Sequence, residues 1–328
     1  MKSWHQTFLS LAASLTLTTA PLMLTGDAHA QAFPAKPVRI VNPNPPGGAI
    51  DIQARIYAQK LQELWGQSVV VDYRTGGGTM IGMDHVSKSA PDGYTVGMAV
   101  TPLVIMPALR ASMPYDTVKD LAGVMLTATS SIMIVGSPTL EANTLAEVIA
   151  LAKKRPGKLT YGSPGPGGAN HLAFELFKQS AGIDILHIAF KGGAQAYPEL
   201  MAGRIDLQVD PSFGAYRHVK AGKMKGIAVT SAKRDAVSPE VPAIAETLPG
   251  FEVLSINGII VARATPRDLV GRLNTDFRRV LREPDTVKRF TEMGMEIRAS
   301  SPDEFDAFIR AEIARWSKLG KETGIKLE

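Results

Sequence analysis

The sequence predicts an α/β protein of two lobes with a ligand cleft between them, and three observations lead there. Short β-rich runs alternate with helix-periodic stretches, the alternation comes in two blocks, and the C-terminal stretch adds helices without a strand series of its own. Such alternation is the mark of βαβ units, which build a parallel sheet with helices on its faces. In the first block the strands are "VRIVN" (38 to 42), "VVVDY" (69 to 73) and "TVGMAV" (95 to 100). The helix after the first strand carries Ala54, Ala58, Leu61 and Trp65 at i, i+4, i+7 and i+11. That stripe faces a sheet and leaves Arg55, Gln59 and Lys60 to water.

The second block repeats the rhythm with "IMIVG" (132 to 136), "LTYGS" (159 to 163), "ILHIAF" (185 to 190), "IDLQV" (205 to 209) and "GIAVT" (226 to 230). Thr144 and Glu147 form a capping box that opens the helix after the first of these. Beyond "LPGFEV" the run "NGIIVA" leads to Thr265 and Pro266, expected as an N-cap and a first helical residue. Ser301, Pro302 and Glu304 start a further helix whose Phe305, Phe308, Ile309, Ile313 and Trp316 share an apolar face. This segment is expected to pack back on the first block. Lobe 1 is therefore read as 31–129 plus 254–328 and lobe 2 as 130–253, with the chain crossing twice.

Residues 1–30 are expected to leave as a signal peptide. Lys2 and His5 precede an apolar run from Phe8 to Leu24, and Ala28, His29 and Ala30 make a small-x-small processing site before Gln31. The run is short for a membrane span of about 20 residues; a retained anchor is the other reading. The chain has 36 basic and 31 acidic side chains, net +5, and losing Lys2 with Asp27 keeps that balance. A mild surplus without a basic run argues against nucleic acid as a partner. Having no cysteine excludes disulfides, thiolate metal sites and thiol catalysis, so the exported product must rely on its packed core.

Two corners carry the candidate chemistry. "NPNPPGGAIDIQAR" (42 to 55) leaves a strand and enters a helix, so Gly47 and Gly48 allow close backbone approach and the helix start offers free N–H groups and partial positive charge. A carboxylate, phosphate or sulfate suits such a place, although a plain βα turn has the same pattern. Asp51 either caps that helix or faces the site. "YGSPGPGGANHLAFELF" (161 to 177) repeats the device with Ser163, Asn170 and His171 as polar members and Ala173, Leu176, Phe177 and Ala181 on one face. Two donor-rich corners on opposite lobes suit the two ends of a small anion. "KGGAQAY" (191 to 197) is a third glycine corner able to line the same cleft.

Asp210 past a strand, Thr101 after the third strand and Asn257 near the second crossing are candidate cleft residues, each readable instead as a turn closer. In "GGGTMIG" (76 to 82) Ile81 stands where the dinucleotide fingerprint needs its third glycine, and no glycine loop carries the Walker lysine. His5, His29, His85, His171, His187 and His218 show no ligand spacing, so neither a metal nor another cofactor is expected. His187, in an apolar strand, is read as a hydrogen-bonded core residue. Ser163, His171 and Asp210 can be drawn as a hydrolase triad, but Ser163 lies outside a G-x-S-x-G elbow. No catalytic residue is assigned, and a secreted serine hydrolase using Ser163 and His171 is the alternative reading.

The order of motifs resembles a known family. "FPAKPVRIVNPNPPGGAIDIQAR", "LQELWGQSVVVDYRTGGGTMIG", "APDGYT", "MPYDTVKDL", "RPGKLTYGS", "HLAFELFKQSAGIDILHIAFKGG", "AGRIDLQVD", "AGKMKGIAVTSAKR" and "FIRAEIARW" together resemble the Bug receptors, extracytoplasmic solute-binding proteins of tripartite tricarboxylate transporters, across residues 33 to 328. The resemblance implies a type II periplasmic binding-protein fold that closes on a small mono- or dicarboxylate and delivers it, as a periplasmic monomer, to a membrane permease. It also implies that the family's two carboxylate grips fall on Pro46, Gly47, Gly48, Ala49, Ile50 and Asp51, and on Ser163 with Gly167, Gly168, Ala169, Asn170 and His171. Here Asn44 replaces the family's usual Phe, Gly168 and Ala169 stand where Ser or Thr is frequent, and Ile256 with Asn257 replaces a common aromatic.

Overall fold

A computed structural model describes residues 33–165, 168–190 and 192–324. The signal-peptide reading and Gly167 fall outside those residues. In chain order the first block comprises β1 (Val38–Asn42), α1 (Ala49–Trp65), β2 (Val69–Tyr73), α2 (Met80–Ser87), β3 (Thr95–Val100), α3 (Pro102–Leu109) and α4 (Thr117–Asp120). β4 (Leu121–Gly136) leads into α5 (Leu145–Lys154), β5 (Thr160–Ser163), α6 (Ala169–Ala181), β6 (Leu186–Ala189), α7 (Gly193–Met201), β7 (Leu207–Pro211), α8 (Ser212–Lys220) and β8 (Lys225–Val229). The chain ends through β9 (Leu254–Ala262), α9 (Arg267–Leu281), α10 (Pro284–Glu292), β10 (Met295–Ile297) and α11 (Pro302–Thr323).

The strands run in the order β2-β1-β3-β9-β4-β7-β5-β6, with β10 and β8 also paired to β4. The expected parallel βαβ pattern holds at each end, where β2, β1 and β3 are parallel and β7, β5 and β6 are parallel. The middle departs from it. β9 is antiparallel to β3 and β4, while β10, β7 and β8 are all antiparallel to β4. The sheet is thus mixed rather than parallel, because chain returning from the second block re-enters the first from the opposite direction.

β4 is one strand of 16 residues serving both halves. Its residues 121–131 pair with β9, and residues 132–136 pair with β7. Register shifts at Gly123/Met125, Leu126/Ala128 and Ile134/Val135 mark irregularities of the kind that bend and twist a strand, which lets one strand turn from one set of partners to another. The return crossing lies beside it. Thr230, 1% exposed, donates its hydroxyl to the Val253 carbonyl at 2.6 Å and accepts the Ile132 N–H at 2.9 Å; its own N–H donates to the Ile132 carbonyl at 2.8 Å.

The helices cover the sheet as their periodicity requires. Ala54, Ala58 and Leu61 of α1 are buried, and α9 packs on that helix through a T-shaped Tyr57–Phe277 contact at 5.2 Å and a Trp65–Asp276 hydrogen bond at 2.8 Å. On α11, Phe305, Ile309 and Trp316 are buried. The Phe305 ring lies so close to β9 that a Cβ on Gly258 would stand 2.5 Å from it, so only glycine fits there. The capping boxes at Thr144/Glu147 and Ser301/Glu304 are both formed. Pro266 is itself the N-cap of α9, not its first helical residue: its ψ of 139° is extended.

Thr230→Val keeps the shape but strands the Ile132 N–H and the Val253 carbonyl in the interior. A loss of about 1–3 kcal/mol in unfolding free energy is expected from denaturant titration.

Candidate functional site

Four helices begin at one cavity of about 420 Å³. α1, α3, α6 and α8 each leave the carboxyl end of a strand, where open α/β sheets hold their ligands. They bring Ala49 and Ile50, Thr101 and Pro102, Ala169, and Ser212, Phe213 and Gly214 to its wall. The sheet is its floor. Val100 and Asn257 are neighbours on β3 and β9, and two residues along β9 the residues Ser255, Ser130 and Met295 sit side by side on β9, β4 and β10. Asn44, Thr79 and Met293 complete the rim.

Among the described residues lining the cavity there is no Lys, Arg, His, Asp or Glu. The positive potential comes from backbone, since the first N–H groups of a helix lack intrahelical partners and sit at the positive end of its dipole. Gly48, Gly168 and Pro211 precede α1, α6 and α8, and none supplies a side-chain cap. α9 and α10 are also uncapped, so the missing caps alone mean little. What sets these three apart, together with the equally uncapped α3, is that they open on one space.

At the first corner Gly47 takes φ +94°, a left-handed value suited to glycine, and its N–H donates to Asp51 Oδ2 at 2.9 Å. Asp51, 4% exposed, also accepts the Tyr73 hydroxyl at 2.5 Å and Arg55 Nε at 3.0 Å. Burial alone would raise its pKa, but Tyr73, the Gly47 N–H and Arg55 together hold it below the usual carboxylate value. Of the two roles open to Asp51, the geometry gives it the internal one: it fastens the corner. Pro46, Gly47 and Gly48 are exposed beside Ala49 but do not line the cavity, and a Cβ on Gly48 would meet nothing within 4 Å.

At the second corner Ser163 is fully buried, with its Oγ 2.7 Å from His187 Nε2 and 3.2 Å from the Gly165 carbonyl. His187 is thus hydrogen-bonded within the fold. His171 lies against its ring, 4.2 Å between centroids, and burial followed by the neighbouring His187 pushes the His171 pKa down to about 4. Neither Ser163 nor His171 lines the cavity. The nearby carboxylate of Glu175 takes the Tyr161 hydroxyl at 2.6 Å and Lys178 Nζ at 2.9 Å. This arrangement does not support a hydrolase, because the serine is enclosed and its imidazole partner is not the one a Ser163–His171 pair needs.

Asn170, 9% exposed, donates to the Val209 carbonyl and to Asp210 Oδ1, both at 3.3 Å. Asp210 also accepts the Tyr197 hydroxyl, and burial pushes its pKa up to about 6. These two residues tie the start of α6 to the end of β7 beneath the cavity. Ala169 belongs both to the cavity and to a smaller hollow of about 230 Å³ shared with Gly168 and Asn170. Thr101 and Asn257 both line the cavity, and Thr101 Oγ1 accepts the Ile256 N–H at 3.0 Å. The site residues read from sequence therefore divide. Ala49, Ile50, Thr101, Ala169 and Asn257 meet at the cavity, while Asp51, Ser163, Asn170, His171 and Asp210 hold the corners from behind.

Thr79, Ser130, Phe213, Met293 and Met295 were not among those candidates. Thr79 had a signal, following three glycines that take φ +120°, +56° and +63° and itself adopting φ +82°. A β-branched residue rarely tolerates that backbone. Its Oγ1 and the Oδ1 of Asn44 are buried without a hydrogen-bond partner among the described residues. Among the described residues there is also no group of three or more His, Asp or Glu placed to hold a metal ion.

Residues 53–325 match the model of the tripartite tricarboxylate transporter family receptor. The chain belongs to that receptor family. BugT of Bordetella pertussis is 32% identical over 321 residues, covering 97% of this chain and 98% of the relative. An R. palustris protein solved with adipate is 33% identical with a TM-score of 0.80, covering 90% of this chain and 99% of its own. MatC of Rhodopseudomonas palustris, solved with bound malate, is 26% identical with a TM-score of 0.76, covering 87% and 99%. The periplasmic binding protein BugD is similar as well, 27% identical with a TM-score of 0.78 and covering 90% of this chain and all of its own, and the receptor has the two-lobed α/β fold expected from its sequence.

Two outcomes follow for the receptor's corners. Thr79→Gly relieves a strained backbone and is expected to raise unfolding free energy by about 1 kcal/mol, read as a higher denaturant midpoint. Asp210 titrates near 3.8 unfolded and about 6 folded, so the native state holds the proton more tightly between those values. Its contribution is full below about pH 4 and is lost as pH rises through 6. Denaturant midpoints of Asp210→Asn should lack that fall relative to the unsubstituted protein.

Proposed function

We propose that this receptor is exported to the periplasm through a cleaved leader spanning residues 1–30, captures a small mono- or dicarboxylate between its lobes, and delivers it to a tripartite tricarboxylate-type membrane permease. It acts as a monomer, without cofactor or catalysis. Lobe 1 comprises 31–129 with 254–328, and lobe 2 comprises 130–253. The observation that carries this reading is the convergence of uncapped helix starts from both sides on one cavity whose described lining residues include no charged side chain. Backbone N–H groups at helix starts suit an anion, and desolvated bonds to a charged group are the strong ones. The adipate and malate bound by the two R. palustris proteins support a carboxylate as that anion.

Capture then works by population shift. A carboxylate that touches Ala49 and Ile50 on one side and Ala169 and Ser212 on the other makes more contacts when the lobes are closed, and so favours that state. Within the segments Pro46 to Asp51 and Ser163 to His171, Ala49, Ile50 and Ala169 grip through backbone, while Gly47, Asp51, Ser163, Asn170 and His171 set corner geometry. Asn44 and Asn257 address the remainder of the ligand.

Proline tests the backbone role directly, since at the first helical position it preserves the helix and removes one N–H. Gly48 and Gly168 already have the extended backbone that must precede it. Ala49→Pro and Ala169→Pro are each expected to weaken carboxylate binding by about 10- to 100-fold in calorimetry, the range for losing a hydrogen bond to a charged group. The melting temperature of the unliganded protein should stay near that of the parent. Unchanged dissociation constants in both variants would refute the backbone grip.

A further inference from the structure

The cavity has two unlike ends, and the difference bears on which acid it takes. One end is the rung of Val100 and Asn257, flanked by the starts of α1 and α3. The other is the rung of Ser255, Ser130 and Met295, two residues along β9 and so about 7 Å away. Phe213 and Met293 line the same cavity, and Met293 is two residues before Met295 in the chain. Phe213 is an exposed aromatic, 40% accessible, in the first turn of α8. It lies against the 293–295 turn: a Cβ on Gly294 would be 3.2 Å from the Phe213 Cβ.

Ser130 and Ser255 put two polar residues on the floor of this end, whereas the Ser212 hydroxyl beside them is bonded within the protein. Ser212 Oγ is 2.5 Å from Ser131 Oγ, and Ser131 donates to Asp235. Thr101, at the other end, already accepts the Ile256 N–H. The unpartnered polar atoms at the rim, Asn44 Oδ1 and Thr79 Oγ1, belong to the loops that precede α1 and α2 and not to the Phe213 wall. An aromatic ring and two thioethers make that wall apolar and adaptable.

Resting on the carboxylate reading above, we infer that the receptor selects acids with an extended apolar body, an unsubstituted alkyl chain or a ring, over compact hydroxylated acids, and that Phe213, Met293 and Met295 form the surface on which that body lies. Burying a methylene contributes about 0.8 kcal/mol, close to fourfold in affinity.

The test is calorimetry of the full-length mature receptor with propionate, butyrate, hexanoate and octanoate, then with adipate and malate. Affinity is expected to rise about threefold to fourfold per methylene up to hexanoate, and adipate to bind at least tenfold tighter than malate. Phe213→Ser and Met295→Thr, checked for native melting, should each lower the hexanoate-to-propionate affinity ratio by fivefold or more. Affinity independent of chain length, malate tighter than adipate, or an unaltered ratio in both folded variants would overturn the inference while leaving a carboxylate receptor in place. Failure of every acid to bind would overturn the carboxylate reading with it.

Discussion

Strand β4 is the constraint on which the rest of the molecule depends. One continuous backbone is hydrogen-bonded to β9 over its first two thirds and to β7 and β8 beyond Ile132, so the two halves of the sheet cannot part without breaking a buried ladder. Ser130 is on the cavity floor, and Ser131 bonds to Ser212 at the start of α8. The point where the strand changes partners is therefore also where a helix is set against the site. Thr230 adds the second crossing to the same place by bonding to both Ile132 and Val253. Relative motion of the halves has to be a bend at these paired crossings, since sliding would shear β4 against all its partners.

On the proposed reading, that geometry explains how an anion site can do without a cation. Carboxyl ends of strands from both halves face the same space, and each launches a helix whose first residues line it. Two buried carboxylates sit close by, and each is contained. Asp51 is matched by Arg55, Tyr73 and the Gly47 N–H; Asp210 accepts from Tyr197 and Asn170, with a pKa raised to about 6 by burial. An unmatched charge one helical turn from an anion would repel it at low effective dielectric. Their hydrogen bonds instead turn both acids into struts that keep the corners in shape.

Much of this was legible in the chain, and the failures have physical causes. Glycine corners between apolar runs mark βα junctions because few other residues allow such backbone, and capping boxes at Thr144 and Ser301 mark helix starts through local hydrogen bonds. Strand direction has no such local mark. β9 and β10 become antiparallel to β4 only through the returning chain, and the three-residue β10 has too little periodicity to be noticed. Polarity drew attention to Ser163, His171 and Asp210 as chemistry-bearing side chains; Ser163 and Asp210 are buried, and all three lie outside the lining of the cavity. The cavity surface is largely backbone and apolar side chains such as Met293 and Met295, whose place is set by chain segments far apart in sequence. Thr79 was visible only as the end of a glycine run that failed a nucleotide fingerprint; its left-handed backbone gives the run its meaning.

Leaving helix starts open at a cavity has a cost, because their N–H groups must be satisfied by water or by something else. At α5 and α11 a threonine or serine and a glutamate satisfy them permanently. At α1, α6 and α8 the caps are absent where the ligand would sit, so on the proposed reading the carboxylate is the missing N-cap. α1 starts from one half of the sheet, and α6 and α8 start from the other. An acid bound to one half completes only part of that capping. Full satisfaction requires both halves around the same ligand, which is why an anion with no cationic side chain to hold it can still favour closure.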